Sequence, residues 1–395
     1  MHALEDVTVA DFTQLMAGAW ATQKLGDMGA DVVKIEPPHG EPQRAYTYCG
    51  RLLDGEGIGY LAMNRNKRNI VIDLKTDEGF EAAKEIVAEA DVVAHNFRPG
   101  TMDRLGFAYE DVVEYNPEVV YLHVSGYGSD GPYADRPGQD LIYQAVTGLT
   151  SYTGRKDEPP TPAGTVVVDE HTATLAALHT VEALFHRERT GEGQKVEASL
   201  FNSAVDLQCN EVTYAMNVGE DIPRGEKTHG HHYLYPPYGV YEAADGYVAI
   251  GMAPLDAIAE VFDLPELAEY DTQAELFEDR DHIHDVIETY TTEHPAEAVV
   301  ETLVEADLQA NEAKGPSAVE EHPQAQHNDL IVELDHPAGG TFKTTGTPAR
   351  LSETPDGVRR PPARFGEHTR EVLAEVGYDD ETIDAMVESG SVHAD

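Results

Sequence analysis

Asp169 closes the apolar run Val166-Val167-Val168 and precedes a long stretch with helical periodicity. A carboxylate there can accept backbone N–H groups as a helix N-cap. In nearly apolar surroundings it can instead serve as a covalent nucleophile. Spacing alone leaves both open. Gly126-Tyr-Gly-Ser-Asp-Gly131 matches the dinucleotide fingerprint, which requires a helix to start inside it. Pro132, Pro137 and Gly138 follow instead, so a loop lying close to a ligand is expected. His229, His231 and His232 cluster around Gly230 without zinc-type spacing, which points to a loop near a site rather than a metal centre. His171, His179 and His186 share a helical spacing, but no Ser or Cys elbow accompanies them.

The distribution of charge is informative. The 395 residues carry 73 acidic against 27 basic side chains, a net charge of −46. Residues 43–104 hold nine of the basic residues against ten acids, which leaves −45 for the rest. A chain that discards cations elsewhere and keeps them here is expected to bind an anion there, unless local ion pairs account for them. The total disfavours a nucleic-acid partner, which needs a basic surface. Carboxylates spread along the whole length, and Arg outnumbers Lys seventeen to ten. Both suit a halophilic, archaeal cytoplasm, where multimolar salt shrinks the Debye length to about 3 Å and screens self-repulsion. No run approaches 18 apolar residues, and Cys49 and Cys209 make no disulfide framework. A cytoplasmic protein without membrane or nucleic-acid partners is expected.

The elements that must position these residues alternate. Strand signals at 7–10, 31–35, 69–74, 91–95 and 119–124 are separated by helical stretches at 18–28 and 76–88. This rhythm predicts an α/β fold with a doubly wound parallel sheet. A helix over 171–189 and a strand over 195–199 complete it. Beyond residue 220 the pattern changes to a strand at 247–251 and acid-rich helices at 281–290 and 295–306, then terminal helices at 367–376 and 380–388. The expected organisation is a large domain over 1–220, a smaller α+β domain over 221–330, and a segment over 331–395 that returns to the first.

Several ordered blocks then resemble the class III CoA-transferases (the CaiB–BaiF or formyl-CoA transferase family) nearly end to end. They are Val9-Ala-Asp-Phe-Thr13 with Ala17-Gly18, Leu25-Gly-Asp-Met-Gly-Ala-Asp-Val-Val-Lys-Ile-Glu36 and Asn64-Arg-Asn-Lys-Arg-Asn-Ile70. Ala90-Asp-Val-Val-Ala-His-Asn-Phe-Arg-Pro-Gly100, Ser125-Gly-Tyr-Gly128, Arg187-Glu-Arg-Thr-Gly-Glu-Gly-Gln194 and Gly366-Glu-His-Thr369 follow. The resemblance implies a Rossmann-like large domain, an interlocked-ring homodimer, and Asp169 as the catalytic aspartate. It implies that coenzyme A, as a substrate rather than a permanently bound cofactor, lies against Ile72, Asp73, Leu74, Lys75, Asn96, Phe97, Arg98, Met102, Arg104, Tyr127 and Gly128, with Arg68 nearby. His229, Gly230, His231 and His232 fall where relatives carry a Gly-rich loop over the site.

The implied reaction is exchange of CoA between an acyl-CoA and a free carboxylic acid through aspartyl-anhydride and aspartyl-CoA thioester intermediates, with no metal or ATP. Two departures matter. Pro37 and Pro38 follow Glu36 where relatives often have Arg, and Met16 replaces the Gln of formyl-CoA transferases. Racemase relatives carry His where Gln139 stands, and Gln cannot titrate, so proton abstraction from a 2-methylacyl-CoA is disfavoured. A non-catalytic acyl-CoA-binding protein is disfavoured by the retained Asp169. The expected acids are dicarboxylates, with succinyl-CoA as donor and mesaconate as acceptor.

Overall fold

The computed structural model describes residues 1–219 and 221–395 and divides them into two compact units. The larger takes residues 1–143, 166–207 and 323–395; the smaller takes 144–165 and 208–322. The segment 144–165 was expected within the first domain, and its contacts lie instead with the second.

In the larger unit the apolar runs become parallel strands: β1 (Thr8–Asp11), β2 (Asp31–Glu36), β3 (Lys67–Ile72), β4 (Val92–His95), β5 (Val120–Ser125) and β6 (Gln194–Ser199). They lie in the order β3-β2-β1-β4-β5-β6. Strands buried on both faces read as continuous apolar runs, which is why they are legible without alternation. The helix Ala17–Asp27 leads from β1 to β2 on one side, and the chain later crosses to put β4 on the other side of β1. The switch point therefore lies between the C-terminal ends of β1 and β4, where open α/β sheets bind ligands.

Helices cover both faces. On one, Ala82, Ala83, Ile86 and Val87 of the helix Asp77–Glu89 pack against Val33, Ile35, Ile70 and Val93. Thr76 caps this helix, accepting the Gly79 N–H at 3.1 Å. On the other face, Ala17, Ala21 and Leu25 meet Val9, Val32 and Val92 together with Ala173, Ala176 and Ala177 of the 24-residue helix Val167–Thr190. Alanines at the contact let the two helices approach closely over the sheet.

In the smaller unit, β7 (Gly239–Ala243), β8 (Gly246–Ile250) and β9 (Ala310–Glu312) form an antiparallel sheet. Tyr241, Val248 and Ile250 pack against Ile258, Phe262, Ile283, Ile287, Val299 and Leu303 from its helices. The C-terminal segment belongs to the larger unit. It adds the hairpin β10 (Ile331–Asp335) and β11 (Thr341–Thr345), then the helices Thr369–Glu375 and Asp380–Ser389. It ends in β12 (Val392–His393), antiparallel to β3 at the sheet edge. Val372, Leu373, Ile383, Met386 and Val392 join the core of the first face. The segment therefore joins the larger unit by strand addition as well as by helix packing.

Candidate active site

Asp169 lies in the first turn of the helix Val167–Thr190, not in a strand or loop before it. Val167 and Val168, of the apolar run before it, are the first two residues of that helix. Nor is Asp169 the N-cap: that position is Val166, with no side-chain cap. The Val168 and Asp169 N–H groups are taken instead by Asp140, whose buried carboxylate accepts them at 2.8 and 3.0 Å. A carboxylate 28 residues away caps the helix and frees the Asp169 side chain for chemistry.

That side chain faces a second helix end. The N–H of Ala17, first residue of the helix Ala17–Asp27, points at the Asp169 carboxylate and lowers its pKa. Met16, the N-cap there, supplies no side-chain acceptor, so the first-turn amides have no capping side chain. Burial nevertheless dominates, reinforced by the negative charge of Asp140, and pushes the Asp169 carboxyl up to about 7. The surround is aromatic. Val168 shares a buried cluster with Tyr143, Tyr127 and Phe201. The Tyr127 ring lies 5.0 Å from Tyr143 and 5.7 Å from Phe201. Asp169 in turn raises the Tyr143 and Tyr48 phenols, after burial as the first cause. Tyr48 and Met16 sit together, hydroxyl to sulfur, at 3.7 Å.

The loop between β1 and the Ala17 helix sits at the switch point and is tied to β4's exit. Asn96, just past β4, accepts the Gln14 N–H at 2.9 Å and donates to the Gln14 carbonyl at 2.6 Å. A Cβ at Gly18 would lie 2.9 Å from Asn96 Cγ and from Thr13 Cβ, so only glycine permits this approach. Gly126–Gly131 forms no helix; Gly128 and Gly131 have φ of 101° and 90° in a loop, as expected. The Gly128 N–H donates to Ser125 Oγ at 3.1 Å. Gly126 and Gly138 are pressed against the Tyr143 hydroxyl, which a Cβ would meet at 2.3 and 2.0 Å. Gln139 is exposed beside Asp140.

The basic window divides into two groups. Four of its nine cations are structural. Arg44 forms a bidentate pair with Glu36. Arg65 pairs with Asp27 through two nitrogens at 2.9 and 2.7 Å. Lys67 reaches Asp11 at 3.0 Å, and burial pulls its ammonium down to about 8. Arg68 holds Asp31, Glu371 and Glu375. Local ion pairs therefore explain these four, and Arg68 in particular is spoken for. The other five have no carboxylate partner among the described residues: Lys84 lies over the Tyr115 ring, Arg51 is exposed, and Lys75 and Arg98, just past β3 and β4, and Arg104, in the short helix Thr101–Leu105 after β4, are exposed.

Of the other residues expected at CoA, Asp73 accepts the Lys75 N–H at 3.1 Å. Leu74 and Phe97 are half-buried against the core. The side chains of Ile72 and Met102 belong to that core, so neither presents its side chain to a ligand. The Phe97 carbonyl accepts from His123 Nε2–H at 3.1 Å, and the His123 ring stacks on His95 at 4.3 Å.

The His229–His232 segment lies in the smaller unit, where each ring is engaged. His229 contacts Asp281 at 2.9 Å, His231 contacts Glu211 at 2.8 Å, and His232 meets the Ile222 carbonyl. No group of three or more His, Cys, Asp or Glu side chains among the described residues is placed to hold a metal ion. No helix among them is long and apolar enough to cross a membrane.

Comparison with known proteins gives this geometry a family. Residues 4–369 match the model of CoA-transferase family III. A succinyl-CoA:mesaconate CoA-transferase of Haloarcula marismortui is 35% identical over 391 residues, covering 96% of this chain and 98% of the relative. The human succinyl-CoA:glutarate CoA-transferase is 30% identical, covering 98% and 90%. A CAIB/BAIF family protein from Brucella suis has a crystal structure that superposes with a TM-score of 0.85 at 28% identity, covering 95% of this chain and 99% of that one. The chain belongs to CoA-transferase family III, enzymes that move CoA between carboxylic acids.

Proposed function

We propose that the protein exchanges CoA between an acyl-CoA and a free dicarboxylic acid, with Asp169 as the nucleophile. One observation carries this reading: a desolvated carboxylate, in a helix whose first amides are capped by Asp140, faces the N–H of Ala17 at the start of a second helix that has no capping side chain. A carboxylate stripped of water attacks readily, and fixed N–H dipoles stabilise the oxyanion that forms.

The ionised Asp169 attacks the thioester carbonyl, giving an aspartyl mixed anhydride and CoA thiolate. The thiolate attacks the aspartyl carbonyl, so Asp169 becomes a CoA thioester and the first acid leaves. The second acid's carboxylate attacks that thioester, giving a new anhydride and thiolate again. Attack of the thiolate on the acyl carbonyl yields the new acyl-CoA and restores Asp169. Each step exchanges groups of comparable activation. The nucleotide end stays anchored on Lys75, Arg98 and Arg104, the loops 72–75 and 96–98, and Tyr127-Gly128. This anchoring keeps the thiolate at high effective concentration.

The relatives and the charge together support this choice of acids. Succinyl-CoA as donor and mesaconate as acceptor fit a relative at 35% identity from a Haloarcula species, and the −46 net charge fits the same salt-rich cytoplasm. We also propose the interlocked homodimer. Exposed Leu141, Ile142, Leu178 and Phe185 give a second copy apolar surface to cover. A panel of acyl-CoA donors and free acids, assayed for CoA exchange at multimolar KCl, tests the reading. Exchange between succinyl-CoA and mesaconate is expected. Absence of any exchange, with loss of an α-deuterium from a 2-methylacyl-CoA, would assign racemase chemistry instead.

A further inference from the structure

The loop that delivers the Ala17 N–H to Asp169 is held in an unfavourable conformation by buried charge. Leu15 has φ of 59°, a left-handed value that a branched side chain adopts at a cost. Its side chain is exposed, so packing does not impose the kink. Its N–H is the point of attachment: it donates to Glu41 Oε2 at 3.0 Å.

Glu41 is only 4% exposed and sits under the loop rather than in it. Its Oε1 has no hydrogen-bond partner and lies 4.0 Å from Lys34 Nζ. Lys34, fully buried, donates to the Thr13 carbonyl at 2.8 Å. A buried carboxylate with one oxygen unsatisfied is costly in a fold that needs it only for packing. Its other contacts, to the Gln43 N–H and by its own N–H to Glu36, are local.

We infer that Glu41 is a positioning residue: with Lys34 it locks the Leu15 kink, which aims the first-turn amides of the Ala17 helix at the Asp169 carboxylate. The inference rests on the proposed role of Asp169 and adds a residue that touches neither substrate nor nucleophile. The charged and titratable groups around Glu41 are Lys34, Glu36, Lys67 and Tyr60; those around Asp169 are Asp140, Glu170, Tyr48 and Tyr143. None of them replaces the Leu15 acceptor.

The test uses the full-length protein in multimolar KCl. Glu41→Ala is expected to lower kcat about 100-fold with KM for acyl-CoA changed less than about threefold, as loss of one oxyanion donor does. It also raises the pH at which activity appears, because Asp169 loses its amide partner. Adding Leu15→Gly, which adopts the kink without an anchor, is expected to restore most of kcat and the pH profile. Glu41→Gln, which still offers an oxygen to the Leu15 N–H, is expected to fall between wild type and Glu41→Ala. Unchanged kcat and pH profile in Glu41→Ala would overturn the inference. So would an equal loss in Glu41→Ala and the double variant, since Glu41 would then serve folding alone. The carboxyl titration of Asp169, read by 13C NMR against Asp169→Asn, moves upward in Glu41→Ala whether or not Asp169 is the nucleophile. Exchange by Asp169→Ala would instead remove the proposed nucleophile while leaving that titration shift intact.

Discussion

At the scale of the residue, Asp169 and Asp140 divide one task. Asp140 spends its charge on two amides of the Val167 helix, and the same charge helps keep the neighbouring Asp169 reluctant to ionise. Asp140→Asn keeps an acceptor oxygen for those amides and removes the charge. Its expected effect is to lower the Asp169 pKa by roughly half to one unit from about 7, so the acid limb of the exchange rate moves down. Initial rates between pH 5 and 9 read this directly. The stability cost has a definite sign. The Asp169 pKa is raised in the fold above its ordinary 3.8, so its contribution is full below pH 4 and is lost as pH rises through 7. Asp169→Asn is therefore expected to melt higher than wild type at pH 8, by on the order of 1–2 kcal/mol of stability, with the gap closing toward pH 4. Thermal unfolding of both proteins across that range measures it.

Asp169 was legible as a candidate because an apolar run ended in a carboxylate, and the family resemblance singled it out. Its partner Asp140 was not legible, since nothing in Gly138-Gln139-Asp140 announces that it caps a helix 28 residues later. The structural half of the basic window was hidden for the same reason. Arg68 meets acids at 371 and 375, a separation of about 300 residues that no local pattern carries. What the window still tells is in the remaining five, which are left without acids in a chain rich in them; Lys75, Arg98 and Arg104 are the three of these that lie past β3 and β4.

Elements tell a different story. The parallel strands and their connecting helices were readable, because fully buried strands are continuous apolar runs and the helices have one apolar face. The helix begins at Val167 rather than at 171, because capping by Asp140 overrides the weak helix preference of the β-branched valines. The edge strand β12 was missed because two residues have no periodicity. The union of β1 and β4 exits depends on Gly18. Gly18→Ala would push against Asn96 and Thr13, breaking the Asn96–Gln14 pairing at a cost of about 1–3 kcal/mol. The expected outcome is a fall of at least about tenfold in kcat/KM for acyl-CoA, measured at saturating acid. Wild-type kinetics in that variant would mean the loop tolerates the displacement.

For the whole molecule, charge sets the working conditions. At −46, repulsion among surface carboxylates is held in check only when salt screens it, and the Debye length grows to about 10 Å at 0.1 M. Transfer from multimolar KCl to 0.1 M is expected to lower the melting temperature by more than about 10 °C. The buried pairs of Arg65 with Asp27 and Lys67 with Asp11 are shielded from that change, so Arg65→Ala costs about 3–5 kcal/mol at either salt. The covalent state of Asp169 tests the proposed mechanism most directly. Mass spectrometry of the protein mixed with succinyl-CoA and quenched with hydroxylamine, which displaces CoA from an aspartyl thioester, is expected to show a hydroxamate mapped to Asp169, and none in Asp169→Ala. An unmodified Asp169 in a protein that still exchanges CoA would contradict it.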